Sequence, residues 1–279
     1  MEEKSILITG CSSGIGLCVA EGLLKRGYRV FATARKNEDV EALLNKGMES
    51  FQLDLDDSAS IRGAVHEVLN KTEGKLFALF NNGGFGQPGA VEDLRRDVLR
   101  EQFETNVFGY LELTNQILPT MRKQGYGRII QNSSILGFIS LPFRGAYTAS
   151  KHALEGLSDT LRMELKGTNI FVSIIEPGPI EAKFRKNAYE KYKENINAKP
   201  SHFCKRYEAM EERLTKETAP LPFTLPATAV LEKVLRALES SKPKARYYVT
   251  TPTYIFACLK RLLPGFLLEK ILITAGTRG

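Results

Sequence analysis

Apolar, β-branched runs recur along the chain at residues 5 to 9, 29 to 34, 49 to 53, 76 to 80, 128 to 132, 170 to 175 and 246 to 250. Between them lie segments with helical periodicity, at 14 to 26, 38 to 46, 58 to 72, 99 to 123, 147 to 166 and 226 to 239. Strands alternating with helices predict an α/β fold built on a parallel sheet. Ile6-Leu7-Ile8 and Phe171-Val172-Ser173-Ile174-Ile175 are nearly continuous in apolar character, as expected of strands covered by helices on both faces. Right-handed crossovers then give a doubly wound sheet of about seven strands with its ligand at the carboxyl ends. Gly27 and Gly167 stand where helix-ending glycines belong, and Ser58 is placed to cap the third helix. The rhythm breaks at residues 181 to 225, a long charged insertion that closes on Pro220, Pro222 and Pro226.

Length and composition narrow the picture. A chain of 279 residues with 43% hydrophobic content fits one large domain over residues 1 to 279. Met1-Glu2-Glu3-Lys4 runs at once into the first apolar stretch, leaving no room for an export signal, and Cys11, Cys18, Cys204 and Cys258 lack metal-ligand spacing. A reducing cytoplasm is the expected compartment. The net charge of +7 comes from bases interleaved with acids, as in Glu190-Lys191-Tyr192-Lys193-Glu194, which argues against nucleic-acid binding and still suits an anionic cofactor. His66, His152 and His202 occupy unrelated contexts, so no metal site is expected.

Directly after the first strand comes Thr9-Gly10-Cys11-Ser12-Ser13-Gly14-Ile15-Gly16, followed at once by a helical pattern. Glycines here let the backbone turn tightly and approach a pyrophosphate, which the helix N-terminus meets with unpaired N–H groups. The placement between strand and helix predicts dinucleotide binding. The second strand ends in Ala34-Arg35-Lys36 without the acid that an NAD-selective site uses for the ribose hydroxyls. The Arg35 guanidinium instead suits a 2′-phosphate, so NADP(H) is the expected cofactor.

Tyr147 and Lys151 are four residues apart where a helix is predicted, so phenol and ammonium share one face. A cation beside a phenol favours the phenolate, which makes proton transfer to or from a carbonyl oxygen feasible. Tyr189 and Lys193 repeat the spacing within a charged segment, but Glu176 stands thirteen residues upstream of that pair, where Tyr147 has Ser134. The offset favours Ser134 over its neighbour Ser133.

Thr9-Gly10-x-x-x-Gly14-Ile15-Gly16, Asn81-Asn82-Gly83-Gly84, Asn106, Ser134, Tyr147-x-x-x-Lys151 and Pro177-Gly178 fall in the order and spacing of the short-chain dehydrogenase/reductase superfamily, which the chain resembles over residues 4 to 182. It looks most like the NADP-using branch that includes bacterial aldehyde reductases and 17β-hydroxysteroid and retinol dehydrogenases. The resemblance implies a Rossmann-type fold and four catalytic residues. Tyr147 would be the general acid, Lys151 would lower its pKa and bond the nicotinamide ribose, Ser134 would polarise the carbonyl, and Asn106 would hold a water linking Lys151 to solvent. It also implies cofactor contacts from Gly10, Ser12, Ser13, Gly14, Ile15, Gly16, Arg35, Asp54, Leu55, Asn82, Pro177, Gly178 and Ile180, besides Tyr147 and Lys151. Within that set Ser12 and Arg35 would take the 2′-phosphate, Asp54 the adenine edge and Asn82 the adenosine-side ribose. Two departures stand out: Gly83 replaces the family's usual Ala, and Ala182 replaces a Thr whose hydroxyl helps hold the cofactor.

The insertion at 181 to 225 occupies the position of the family's helical substrate lid. It carries Phe184, Tyr189, Tyr192, Phe203, Tyr207, Met210, Leu214, Leu221 and Phe223, either as a cover for an apolar substrate or as a helix pair packed on the domain. The extension at 253 to 279 is too broken by charge to span a bilayer. Its apolar stripe fits packing on the core, a second subunit of a homodimer, or a peripheral membrane contact. These features predict NADPH-dependent reduction of an apolar aldehyde or ketone. Oxidation of a hydroxysteroid, retinol-like or other apolar alcohol uses the same residues, and a non-catalytic NADP-binding scaffold is a rival of another class.

Overall fold

The computed structural model describes residues 4–215 and 223–278. Seven strands, β1 (Ser5–Ile8), β2 (Arg29–Ala34), β3 (Glu49–Gln52), β4 (Ala78–Asn81), β5 (Gly127–Asn132), β6 (Ile170–Glu176) and β7 (Arg246–Tyr248), match the seven apolar runs. They form one parallel sheet in the order β3-β2-β1-β4-β5-β6-β7. The helices are α1 (Gly14–Lys25), α2 (Asn37–Leu44), α3 (Ser58–Lys71), α4 (Arg96–Phe103), α5 (Gly109–Gln124), α6 (Gly145–Glu164), α7 (Phe184–Asn195), α8 (Cys204–Thr215), α9 (Thr228–Glu239), α10 (Thr251–Leu262) and α11 (Gly265–Arg278).

Strand alternation divides the core. Ile6 and Ile8 face Val19 and Leu23 of α1 and Val230 and Val234 of α9, whereas Leu7 faces Ile61 of α3, Ile117 of α5 and Leu154 of α6. Because β4 returns to pair with β1 on the side away from β2, the chain leaves β1 and β4 in opposite directions. The crevice this opens at their carboxyl ends is the expected ligand position.

Two local expectations change. The pattern at 99 to 123 reads as one helix, but α4 and α5 are separated by a wider, π-type turn, Glu104–Phe108, that contains Asn106. Such a turn adds a residue without disturbing the apolar rhythm that a sequence displays. The cap of α3 is Asp57, whose carboxylate accepts from Ala59 N at 2.8 Å, while the Ser58 hydroxyl donates to Glu112 at 2.7 Å. Gly27 (φ +81°) and Gly167 (φ +89°) do take the left-handed conformation that follows a helix end.

The insertion folds as α7 and α8, with a core of Tyr192, Ile196, Tyr207 and Met210 closed against Ala90. Leu221, Pro220, Pro222 and Met1-Glu2-Glu3 lie outside the described residues, as does the side chain of Leu214.

Candidate active site

The turn after β1 is a cradle that side chains would fill. A Cβ at Gly16 would meet the Gly10 carbonyl oxygen at 2.2 Å, and one at Gly10 (φ +69°) would meet Gly83 Cα at 2.5 Å. Gly83 therefore serves close approach: a Cβ there would stand 3.2 Å from both Gly10 N and the Leu55 side chain. Ser13 stands at the N-cap of α1 without a side-chain cap bond, so the helix presents its amide end to an anion. Ser12 is exposed beside this turn, and Arg35 is exposed at the end of β2 with no ion pair to its guanidinium among the described residues. A pyrophosphate and a 2′-phosphate both fit this donor set.

Other expected cofactor residues differ in how free they are. Thr9 Oγ1 accepts from the backbone N–H of both Asn82 and Gly83 at 2.9 Å. The Asn82 amide donates to Thr9 O at 3.0 Å and Gly10 O at 3.2 Å, and its Oδ1 accepts from Asn132 at 2.9 Å, so this side chain fastens the turn to the neighbouring strands. Asp54 is half-buried, accepting from Asp56 N at 3.1 Å, and Leu55 is buried between Gly83 and Gly109. The Pro177 carbonyl accepts from Ile135 N at 2.8 Å, and a Cβ at Gly178 would strike Thr250 Oγ1. The loop that lacks the family's Thr is held by other means: Ile180 bridges Leu225, Glu181 N donates to Leu225 O at 3.0 Å, and Ala182 Cβ lies 3.2 Å from the place of a Cβ on Gly14.

Ser134, two residues past β5, stands near enough to the Tyr147 phenol to act on its acidity, and its Oγ accepts from Leu136 N at 3.1 Å, while Ser133 donates to Glu155. Burial pushes the Tyr147 phenol up to about 12, and it is the Ser134 contact that acts to lower it. Burial also drives the Lys151 ammonium down to about 7, opposed by Glu155. Lys151 Nζ donates to the Asn132 carbonyl at 2.7 Å and stands 5.6 Å from the Tyr147 ring centre, so in this geometry it is held by the strand end and not by the phenol.

Asn106 is buried, and its polar atoms are committed to protein. Its amide donates to Phe85 O at 3.0 Å and Ser150 Oγ at 3.2 Å, and its Oδ1 accepts from Phe85 N at 3.3 Å. The side chain thus positions α6 against the segment after β4. Tyr189 and Lys193 sit on α7, with Tyr189 stacked on Tyr192 within the lid.

An acidic cluster lies beside Ser133 and α6, built from residues far apart in the chain that no local pattern links. Glu155 of α6 accepts from Ser133 Oγ at 2.7 Å. Arg246 of β7 reaches Glu176 at 3.0 Å, Glu155 at 3.3 Å and Asp159 at 2.7 Å. Burial and the charge of Glu155 raise Glu176 well above the carboxylate range despite Arg246. Glu176 Oε2 is buried without a hydrogen-bond partner among the described residues, which favours the protonated carboxyl.

Phe184, the first residue of α7, packs edge-on to Tyr147 with ring centres 5.4 Å apart, covering the phenol from the lid side. The lid is tied down by Tyr207, which donates to Asp93 at 2.6 Å, and by Asn195, which donates to Gln87 at 2.8 Å.

The family model described as short chain dehydrogenase matches residues 4–193. The uncharacterized oxidoreductase YbbO of Escherichia coli is 44% identical over 270 residues, covering 97% of this chain and 94% of that protein. An NADPH-dependent 3-dehydrocapnine reductase of Ornithobacterium rhinotracheale is 34% identical over 274 residues, covering 95% and 94%. A short chain dehydrogenase/reductase of Burkholderia phymatum, solved with NAD, superposes with a TM-score of 0.76 at 25% identity, covering 92% of each chain.

Proposed function

This chain belongs to the short-chain dehydrogenase family, and from that premise we propose that it reduces an apolar aldehyde or ketone to the alcohol with NADPH. The observation that carries the reading is the half-buried Tyr147 set near Ser134 and one helical turn from Lys151, beside a glycine cradle fit for a dinucleotide.

Arg35 and Ser12 would bind the 2′-phosphate, and the α1 N-terminus with Gly10 and Gly16 the pyrophosphate. The cofactor, when bound, supplies the hydride. Ser134 orients the carbonyl oxygen and stabilises the charge that develops on it. Tyr147 holds its proton at neutral pH, the state a general acid requires, and delivers it from the phenol oxygen to that carbonyl oxygen. Lys151, on the same helix face, would lower the phenol's pKa on turning from the Asn132 carbonyl that holds it here. Phe184 and the lid core exclude water and favour an apolar substrate. An NADPH-dependent reductase among the relatives supports both cofactor and direction. Four free cysteines suit a reducing cytoplasm, where we place the protein.

The test is Tyr147→Phe, assayed for NADPH binding by fluorescence and for NADPH oxidation with medium-chain aldehydes, retinal, keto-steroids and oxoacyl thioesters. Retained binding with turnover lost at least about 100-fold is expected for a general acid. Unchanged turnover removes Tyr147 from the mechanism.

A further inference from the structure

The two tail helices are weakly absorbed into the fold. In α10 only Thr253 and Ala257 are buried. Tyr254 and Ile255 are exposed on the same helix, Leu262 at its end is 72% exposed, and Phe266, Ile271 and Ile273 of α11 are exposed at 63%, 39% and 47%. So many large apolar side chains within about twenty residues exceed the scattered exposure normal for a surface. Neither helix is long and apolar enough to cross a membrane.

Charge identifies the occupant. Between Thr251 and Gly276 the ionisable side chains with a full charge are Lys260, Arg261, Glu269 and Lys270, three bases against one acid, and all four are exposed. A second copy docked through a two-fold axis would bring this basic surface against itself, with one acid per chain to answer it. An anionic lipid surface supplies the missing charge and an apolar layer at once, the combination that interfacial helices use.

We propose that α10 and α11 form an interfacial anchor that seats the protein on an anionic membrane surface, with Tyr254, Ile255, Leu262, Phe266, Ile271 and Ile273 entering the headgroup boundary. The anchor adjoins the catalytic segment: Lys260 Nζ donates to Phe138 O at 2.5 Å, and a Cβ on Gly276 would stand 2.7 Å from Pro142. Both contacts lie on the stretch that leads from Ser134 to Tyr147. The anchoring does not depend on which carbonyl is reduced.

Co-sedimentation of the full chain with phosphatidylglycerol/phosphatidylcholine vesicles and with pure phosphatidylcholine vesicles tests it without any readout of catalysis. The protein is expected to pellet with the anionic vesicles and to be released as salt is raised. Phe266→Glu with Ile271→Glu should abolish binding while thermal unfolding is unchanged, because both positions are exposed. Arg261→Glu and Lys270→Glu should each weaken partitioning about fivefold or more on anionic vesicles only. An intact protein that stays in the supernatant with both vesicle types overturns the proposal. If sedimentation velocity then shows a doubled mass that the Phe266→Glu, Ile271→Glu variant halves, the face is a self-association surface and the membrane assignment is wrong.

Discussion

Asn132 donates its side-chain amide to Asn82 Oδ1 at 2.9 Å, and this contact joins the glycine turn after β1 to Lys151. On one side Asn82 holds the Thr9 and Gly10 carbonyls; on the other the Asn132 carbonyl holds Lys151. Asn82→Ala strips partners from two carbonyls and one amide, and each buried polar group left unpaired costs about 1–3 kcal/mol. We expect the unfolding free energy to fall by at least about 2 kcal/mol and the NADPH dissociation constant to rise. Asn132→Ala keeps the backbone carbonyl that holds Lys151, so it should lower stability with a smaller effect on NADPH. Denaturant unfolding and NADPH titration of both variants check this; wild-type stability in Asn82→Ala would dismiss the strut.

The acidic cluster makes a prediction about pH. Glu176 keeps its proton in the folded chain at pH values where the unfolded chain has released it. The folded state therefore binds more protons, and this contribution to stability is lost as pH rises from the ordinary carboxylate range toward the raised value, by up to about 1.4 kcal/mol per pH unit. Lys151 acts oppositely. Its folded value of about 7 lies below the unfolded one, so its cost to stability is relieved as pH climbs above 7. The difference between wild type and Glu176→Gln isolates the carboxyl, since the amide mimics the protonated acid and does not titrate. Stability of the wild type relative to Glu176→Gln should decline from pH 6 to 9 in chemical denaturation; parallel curves would mean that Glu176 is ionised throughout.

The parallel sheet of seven strands, the glycine turn after the first strand and the one-turn spacing of Tyr147 and Lys151 were legible because each is carried by local pattern or fixed spacing. Three features were not. The π-type turn around Asn106 leaves the apolar rhythm of 99 to 123 intact, so nothing local marks it. The Glu155–Glu176–Arg246 cluster joins residues 70 and 91 positions apart: pairing of β6 with β7 brings Arg246 beside Glu176, and the packing of α6 on β6 adds Glu155. The side chain of Asn82 could be placed near the cofactor by its motif, but its direction into the Thr9–Gly10 turn depends on how β1 meets β4. For the lid, amphipathic periodicity is the same whether a helix covers a ligand or packs on the domain, and here Tyr192 and Tyr207 do the packing while Phe184 covers Tyr147.

Phe184→Ala separates cover from fold. The ring is 41% exposed, so its loss should cost little stability, but it opens the lid side of Tyr147. An apolar ring that covers substrate removes apolar surface worth about 1 kcal/mol from water, so its loss predicts a roughly fivefold rise in KM for an apolar carbonyl. Because burial is what raises the phenol, admitting water should lower its pKa, and the alkaline limb of the kcat/KM profile should move to lower pH. A raised KM with an unmoved alkaline limb would show that Phe184 contacts substrate without setting the environment of Tyr147.

We propose that cofactor choice rests on Arg35. Its guanidinium is exposed at the end of β2, and its backbone carbonyl is fixed by Gln52 at 2.8 Å, so the side chain is aimed by the strand while its charge stays available. Asp56, two residues beyond Asp54 in the loop after β3, is raised chiefly by burial, and its carboxylate is engaged by Thr105 at 2.6 Å. Arg35→Asp replaces a fork suited to a 2′-phosphate with an acceptor suited to ribose hydroxyls. The KM for NADPH should rise at least about tenfold more than that for NADH, since a charged hydrogen bond is worth about 1.5–3 kcal/mol. Steady-state kinetics with both cofactors measures the ratio. Equal changes would mean that Arg35 is a solvated strand-end charge and that the 2′-phosphate is held elsewhere.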